Sequence, residues 1–183
     1  MRQLGFRARV TNDTEQLDQA DVLILPGVGA FPTAMERLHS LELVTYLQRA
    51  AESGRPLIGI CLGMQLLADS STELGFTPGL GLIPGVVEAI GLPPWHIGWN
   101  TIEVSPGRPL LQDSDGEVMY FNHSYTYRGP RQYVVADCRV MPEGPNLTAA
   151  IARETVVGLQ FHPEKSQQSG LELLANLILS LTT

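Results

Sequence analysis

The fold is decided by residues 55–68, which read Arg55-Pro56-Leu57-Ile58-Gly59-Ile60-Cys61-Leu62-Gly63-Met64-Gln65-Leu66-Leu67-Ala68. The first half is a short apolar run behind a proline, which predicts a strand buried on both faces. The second half consists of good helix formers, so a helix should follow at once. Cys61 lies at the junction, with glycine two residues before it and two residues after it.

This Gly-x-Cys-x-Gly pattern is typical of a nucleophile elbow, because small neighbours allow a sharp turn from strand to helix. A thiol at a helix N-terminus lies beside free N–H groups and the positive end of the helix dipole, and both favour the thiolate. The N–H of Leu62, the residue after Cys61, would point at a developing oxyanion. Taken alone, the motif also fits a buried structural cysteine.

Composition limits the class of protein. A chain of 183 residues fits one domain, and 44% apolar with 17% charged residues indicates an ordinary globular protein. The net charge of −7 and the scattered basic residues argue against nucleic acid or an anionic membrane surface as the main partner. No apolar stretch reaches the roughly 18 residues of a membrane span. A cytoplasmic location is therefore expected, and its reducing conditions would keep a thiol reactive.

The two cysteines, Cys61 and Cys138, have neither zinc-binding nor disulfide spacing, so no metal is expected. Helical and strand patterns alternate in the first half of the chain, and strand patterns dominate the second half. Strands are predicted at residues 6–10, 22–25, 57–60, 86–90, 100–104, 118–121, 133–138, 148–153 and 156–161, and a closing helix at residues 170–181. This order predicts an α/β fold with a mixed sheet.

A glycine-rich loop follows the strand predicted at residues 22–25 and reads Pro26-Gly27-Val28-Gly29-Ala30-Phe31-Pro32. It is not a dinucleotide-binding fingerprint, because the third glycine is missing and Pro32 stands where glycine or alanine would belong. Ligands of open sheets bind beyond the carboxyl ends of strands. The loop and Cys61 both follow strands, so they should share one rim.

A nucleophilic cysteine needs a base, and the base needs a group that orients it. The chain has four histidines, His39, His96, His123 and His162. His162 ends a predicted strand and is followed by Pro163 and Glu164. In an extended segment, residues two apart face the same side, so Glu164 could accept the Nδ1–H and leave Nε2 for a thiol. His-Pro-Glu alone could equally be a charged turn, but together with a cysteine elbow on the same rim it favours a Cys-His-Glu triad.

Two motifs together resemble the triad (class I) glutamine amidotransferases. They are Gly59-Ile60-Cys61-Leu62-Gly63-Met64-Gln65-Leu66-Leu67 and Gly158-Leu159-Gln160-Phe161-His162-Pro163-Glu164. Further segments look like those of the glutaminase subunits of imidazole glycerol phosphate synthases. These are Pro26-Gly27-Val28-Gly29-Ala30-Phe31, His96-Ile97-Gly98-Trp99-Asn100, Tyr120-Phe121-Asn122-His123-Ser124-Tyr125 and His162-Pro163-Glu164-Lys165-Ser166. The resemblance implies a flavodoxin-like fold of three layers, with a mixed, mostly parallel sheet flanked by helices.

The resemblance also implies a reaction. Glutamine would be hydrolysed through a thioester on Cys61, with His162 as general base and acid and Glu164 as its orienter. The ammonia would pass to a separate (βα)8-barrel cyclase subunit, which makes imidazole glycerol phosphate and an aminoimidazole carboxamide ribotide. The chain would thus be half of a heterodimer in histidine biosynthesis, and no cofactor is implied.

Other roles are carried over by position. Val28 and Gly29 correspond to the second contributor of the oxyanion hole, beside Leu62. The residues matching glutamine contacts are Gly27, Gln65, Glu73 and the backbone of His123, Ser124 and Tyr125. The residues matching the surface that faces the cyclase are His96, Trp99, Asn100 and Lys165.

Two features depart from the family. Members of the family begin with a further strand and most of a helix, and Met1 aligns inside that helix. Residues 1–183 are therefore expected to form one domain without the first strand and most of the first helix. In addition, Trp95 stands where the family usually has proline. Alternatives to the proposed role are the glutaminase of another synthase, a catalytically silent subunit on the same fold, and a cysteine peptidase.

Overall fold

The computed structural model describes residues 4–141 and 143–182. Met1, on which the expected late start of the chain rests, lies outside the described residues. The α-helices are α1 (Thr14–Leu17), α2 (Phe31–Ser40), α3 (Leu43–Glu52), α4 (Leu62–Leu66) and α5 (Gln167–Thr182). Short 3-10 turns cover Pro109–Ser114, Arg131–Tyr133 and Pro163–Lys165.

The strands form two sheets. They are β1 (Leu23–Gly27), β2 (Leu57–Cys61), β3 (Ser70–Ser71), β4 (Thr77–Pro78), β5 (Val86–Ala89), β6 (His96–Val104), β7 (Val118–His123), β8 (Tyr125–Arg128), β9 (Val134–Arg139), β10 (Asn146–Arg153) and β11 (Val156–Leu159). The larger sheet has the order β1-β2-β11-β10-β9-β6-β7, and the smaller one has the order β4-β3-β5-β8.

The expected three-layer α/β fold with a mixed sheet is confirmed. In the larger sheet of the described chain, β2 pairs in parallel with β1 and with β11, and the other four neighbouring pairs are antiparallel. The sheet is thus less parallel than expected. The reason is that strands in the second half follow one another without crossover helices, and a parallel pair needs such a crossover.

Helices cover both faces of the larger sheet. Helices α2, α3 and α4 share one apolar cluster with Leu57 of β2, whereas α5 shares the other cluster with Ile58 of the same strand. Every residue of β2 is buried, as expected for a strand with helices above and below it. The strand that ends in Cys61 therefore lies in the middle layer of the domain. No helix among the described residues is long and apolar enough to cross a bilayer.

The strand predicted at residues 6–10 is wrong. These residues have no regular secondary structure, and only Phe6 is half-buried, against the cluster that contains α5. Val10 is fully exposed. The alternation of apolar and basic residues gave a strand pattern, but none of the strands in the described residues pairs with this segment. Strands β3, β4 and β8 were not predicted, since two of them have only two residues and show no period.

Candidate active site

The turn at Cys61 has the geometry of an elbow. Cys61 is the last residue of β2 and directly precedes α4, and its backbone has φ +54° and ψ −111°. A positive φ is costly for a residue with a side chain and persists only where the surroundings enforce it. Cys61 is 7% exposed, so the packing around it can supply that constraint.

The two glycines of the motif are required by close backbone contacts. A Cβ on Gly63 would lie 1.8 Å from the carbonyl oxygen of Leu25 in β1. A Cβ on Gly59 would lie 2.6 Å from the carbonyl oxygen of Gly63. Any larger residue would push α4 away from the sheet, so the elbow depends on glycine at both positions.

The glycine-rich loop lies beside the elbow. In the parallel register of β1 and β2, Gly27 pairs with Cys61, so the residues after Gly27 reach the same rim. A Cβ on Gly27 would lie 2.9 Å from the backbone nitrogen of Gly63. Beyond Gly27 the packing opens, because Val28 is 83% exposed. Gly29 has φ +97°, and a Cβ added to it would meet no heavy atom within 4 Å.

His162 lies next to Cys61 with Glu164 behind it. The His162 ring Nδ1 is 2.7 Å from Glu164 Oε1, and the same ring hydrogen-bonds the Cys61 thiol. The backbone conformation that brings Glu164 to the ring differs from the sequence expectation. Residues 163–165 form a 3-10 turn, closed by the N–H of Lys165 donating to the His162 carbonyl at 3.0 Å, rather than an extended segment. The carboxylate reaches the ring because the turn folds it back.

These contacts set the charges of His162 and Glu164. The hydrogen bond to Cys61 and then the one to Glu164 raise the pKa of His162 to about 9, although burial works in the opposite direction. Burial is the largest single influence on Glu164 and raises its pKa, but the hydrogen bond from His162, a backbone hydrogen bond and the charges of His162 and Lys165 together lower it more, so its pKa lies below the usual range. An ionised carboxylate thus supports an imidazolium, the charge state that a cysteine nucleophile needs in its base.

A cavity of about 380 Å³ opens over these groups. Its lining is formed by Val28, Gly29, Cys61, Leu62, Gln65, Glu73, Asn122, His123, Ser124, Tyr125, His162 and Lys165. The lining thus carries a carboxylate, an ammonium group and a thiol. Within residues 4–141 and 143–182, no cluster of histidine, cysteine and acidic side chains is arranged to hold a metal ion.

Gln65 is buried behind the thiol and fixes a polar network. Its Nε2 donates to the Tyr125 carbonyl at 3.0 Å and to Gln160 Oε1 at 3.1 Å. This leaves the Gln160 amide nitrogen 4.0 Å from Cys61 Sγ. Sequence reasoning did not single out Gln160. The available signal was a glutamine at the end of an otherwise apolar strand, where a fully buried amide must find partners.

Glu73 connects two loops. Its carboxylate accepts the backbone N–H of Phe31 at 2.8 Å, at the first turn of α2 and directly after the glycine-rich loop. A carboxylate at a helix N-terminus is a favourable cap. Asn122 is a second residue that sequence reasoning missed, and its carbonyl oxygen is 3.9 Å from Cys61 Sγ.

Comparison with known proteins agrees with this geometry. The chain matches the family described as "Glutamine amidotransferase class-I" over residues 2–181. The chain belongs to this family. It is 46% identical over 180 residues to imidazole glycerol phosphate synthase subunit HisH of Streptococcus gordonii, spanning 95% of this chain and 84% of that protein. It is 43% identical over 175 residues to subunit HisH of Listeria monocytogenes, spanning 93% and 83%.

Solved structures show the same fold. A crystal structure of a glutamine amidotransferase superposes with a TM-score of 0.74 at 22% identity, over 99% of this chain and 89% of that one. A glutamine amidotransferase from Thermotoga maritima superposes with a TM-score of 0.67 at 17% identity, over 91% and 80%. At these identities the likeness concerns the fold alone.

The residues expected to face a partner do not all reach the surface of this amidotransferase. Trp99 is 49% exposed on β6 and packs edge-on against Tyr120, with ring centroids 5.7 Å apart. The Lys165 ammonium lies 5.8 Å from the centre of the same Tyr120 ring. Asn100 is half-buried. His96 differs from the expectation, because its side chain turns into the fold, is 4% exposed and stacks on Phe121.

Proposed function

We propose that this glutaminase subunit of imidazole glycerol phosphate synthase hydrolyses glutamine to glutamate and ammonia through a thioester on Cys61. The observation that carries the proposal is that Cys61 and His162 line one cavity and Glu164 accepts a hydrogen bond from the His162 ring. Relatives at 43% and 46% identity that are named as HisH subunits support the same reaction. An intact triad also favours an active enzyme over a silent subunit.

The reaction follows from the roles of the three side chains. The thiol proton of Cys61 passes to His162 before the attack, and Cys61 Sγ then attacks the carboxamide carbon of glutamine as a thiolate beside the His162 imidazolium. The negative charge that develops on oxygen is stabilised by the N–H of Leu62, at the start of α4, and by a backbone N–H at Val28 or Gly29. The imidazolium then protonates the amide nitrogen, the carbon–nitrogen bond breaks and ammonia leaves, while Glu164 holds the ring and stabilises its charge.

The second half-reaction uses the same base. His162, now neutral, deprotonates a water molecule as it attacks the thioester carbonyl. The carbon–sulfur bond breaks, glutamate leaves, and His162 keeps the proton as an imidazolium beside the freed Cys61 sulfur. The cavity needs room for one glutamine and one water, and a volume of about 380 Å³ supplies it.

The proposed glutamine contacts include a partner for each of the two charged groups of the substrate. The carboxylate of Glu73 would pair with the ammonium group of glutamine, while the backbone at His123, Ser124 and Tyr125 would bind its carboxylate. Gln65 and Gly27 complete the proposed set. Gln65 acts by holding the Tyr125 carbonyl at 3.0 Å, and Gly27 acts by letting the loop approach Cys61.

The ammonia has a proposed destination in a cyclase subunit with a (βα)8-barrel fold, which makes imidazole glycerol phosphate and an aminoimidazole carboxamide ribotide. Trp99, Asn100 and Lys165 would form part of the contact surface. Tyr120 supports the first and third of these by ring contacts. A heterodimer in the cytoplasm, without nucleic acid or a membrane as partner, completes this proposal.

The decisive experiment measures glutamate release by the purified chain alone, with the cognate cyclase, and with the cyclase and its ribotide ligand. We expect weak glutaminase activity alone and strong activity in the loaded complex. Activation by a different synthase subunit, with none by the cyclase, would assign the glutaminase to another pathway. No turnover in any arm would indicate a silent subunit.

A further inference from the structure

Two histidines outside the triad form a buried pair. His96 and His123 pair across the antiparallel strands β6 and β7, and they are 4% and 7% exposed. The His96 Nδ1 atom is 3.0 Å from the His123 Nε2 atom, so one of the two nitrogens carries a proton and the other accepts it. The Cys138 sulfur also approaches the His96 Nδ1 atom, at 4.0 Å.

The end of the pair at His123 has a fixed proton position. The His123 Nδ1 atom is 2.8 Å from the carbonyl oxygen of Tyr125. A carbonyl oxygen only accepts hydrogen bonds, so this nitrogen carries the proton. In the neutral ring the Nε2 atom of His123 is then an acceptor.

The end of the pair at His96 is fixed independently. The Asn100 amide nitrogen donates to the Arg139 carbonyl at 2.9 Å, and the Thr101 N–H donates to the Asn100 amide oxygen at 2.9 Å. These two bonds orient the amide, whose nitrogen is 3.5 Å from the His96 Nε2 atom. An amide nitrogen is a donor only, so the His96 Nε2 atom is an acceptor and its Nδ1 atom carries the proton.

Both ends therefore give the same solution, with each ring neutral and protonated at Nδ1. All hydrogen bonds then run in one direction, from Asn100 through His96 and His123 to the Tyr125 carbonyl. A second proton on either ring would set two donors against each other. Burial lowers the pKa of His96 to about 4 and the pKa of His123 to about 4, in agreement with neutral rings.

We propose that the His96–His123 pair is a positioning relay that holds the 123–125 wall of the glutamine cavity from strand β6. Its last acceptor, the Tyr125 carbonyl, also receives the Gln65 amide behind Cys61. Its first donor, Asn100, neighbours Trp99 on β6. A displacement of β6 would thus be transmitted to the cavity wall by hydrogen bonds that lack a freely rotating hydroxyl. The functional consequence rests on the proposed glutaminase activity.

The tautomers are tested without any enzyme assay. In protein labelled with ¹⁵N at histidine, nitrogen chemical shifts distinguish Nδ1–H rings, Nε2–H rings and imidazolium. Signals are assigned with single variants of the four histidines. We expect His96 and His123 to be neutral Nδ1–H rings from about pH 5 to about pH 8, the window in which ordinary histidines titrate. An Nε2–H tautomer at either residue, or titration in that window, would overturn the relay.

The functional step is tested with two variants of similar polarity, assayed in the complex with the cyclase. In His96→Asn the amide replaces the Nδ1 donor, whereas in His96→Gln it lies near the Nε2 position and the donor to His123 is lost. Both lose the stacking on Phe121, so their difference reports the hydrogen bond. We expect His96→Gln to raise KM for glutamine about tenfold, as for a lost hydrogen bond, with kcat little changed. His96→Asn should stay within about threefold of the parent value.

Equal KM values in the two variants would show that only packing at His96 matters and would overturn the relay. Their melting temperatures serve as the control for folding. If the unmodified complex released no glutamate, the proposed function would fail. The tautomer measurement would still decide whether the relay exists, so the two failures are distinguishable.

Discussion

The two sides of the cavity differ in how their backbone is held. On the elbow side, Cys61 and Leu62 are buried, and the Gly59 and Gly63 contacts leave no room even for a methyl group. On the loop side, Val28 is 83% exposed and the space around Gly29 is open. The positive φ of Cys61 is enforced by packing, whereas the positive φ of Gly29 needs no enforcement.

This difference indicates a division of labour. Close-packed regions have one arrangement, while segments with few apolar contacts open and reorient at low free-energy cost. The nucleophile should therefore be formed in advance, and the second half of the oxyanion hole should be the adjustable part. Signals from a partner would then act on the loop and not on the thiol.

The largest effect is expected at the nucleophile. Cys61→Ala should lower glutamine hydrolysis by about 10⁴-fold or more, as for loss of a catalytic nucleophile. Synthesis from added ammonium salts by the cyclase complex should persist, because the cyclase chemistry does not use the thiol. Glutamate release and product formation measure the two activities. Cys138→Ala, at the other buried cysteine, is the control and should keep hydrolysis. Substantial hydrolysis by Cys61→Ala would remove Cys61 from the mechanism.

The second-largest effect is expected for stability, in a direct comparison of the elbow side and the loop side of the cavity. Gly63→Ala should lower the free energy of unfolding by about 3 kcal/mol, the upper end of overpacking costs, because its Cβ would lie 1.8 Å from a carbonyl oxygen. Gly29→Ala should lower it by only about 1 kcal/mol, from the positive φ alone. Urea denaturation of both variants measures the difference. Similar losses in the two variants would contradict the contrast between a packed and an open side.

The separation of residues along the sequence explains which parts of the site could be predicted from it. The elbow and the His162–Glu164 pair are local, so the spacing of glycine, cysteine, histidine and glutamate reveals them. Contacts that depend on strand register are not local. The hydrogen bond between Gln65 and Gln160 joins α4 to the segment that follows β11, and the His96–His123 pair requires the register of β6 and β7.

For the fold, sequence patterns predict some strands correctly and fail for others. Apolar strands such as β2 and β10 have clear patterns, and the structure contains both. Pattern alone failed at residues 6–10, where alternation is present but no neighbouring strand pairs with the segment among the described residues. The position of His96 on the surface that faces the cyclase was carried over from the resemblance and not from a pattern, and the structure buries that side chain.

A smaller effect is expected from the orienting carboxylate. Glu164→Gln should lower kcat on the order of 100-fold, because an amide cannot stabilise the imidazolium. The pKa of His162 is raised from 6.5 to about 9, so the acid form persists up to about pH 9 and activity should fall above it. Glu164 is one cause of that rise, so Glu164→Gln should move the alkaline limb to lower pH. The pH profile of kcat measures this.

The raised pKa of His162 also makes the stability of the fold depend on pH. Because the folded pKa of His162 is raised, its contribution to stability is complete below about pH 6.5 and is lost as the pH rises through about 9. Glu164→Gln should therefore reduce stability at neutral pH and flatten its decline on the alkaline side. An unchanged alkaline limb and an unchanged kcat would show that Glu164 does not orient His162.

The smallest effect is expected at the loop, and it concerns regulation. Gly29→Val places a β-branched residue at φ +97°, where its Cβ would meet no heavy atom within 4 Å, so it should bias the backbone away from that conformation. We expect activation by the loaded cyclase to fall about fivefold, while KM for glutamine changes by less than about twofold. Gly54→Val is the matched control, since Gly54 has φ +81° in equally open space at the end of α3. It should carry a similar stability cost and leave activation intact. A loss of glutamine binding in Gly29→Val that equals its loss of activation would mean that the loop shapes the substrate site and does not gate it.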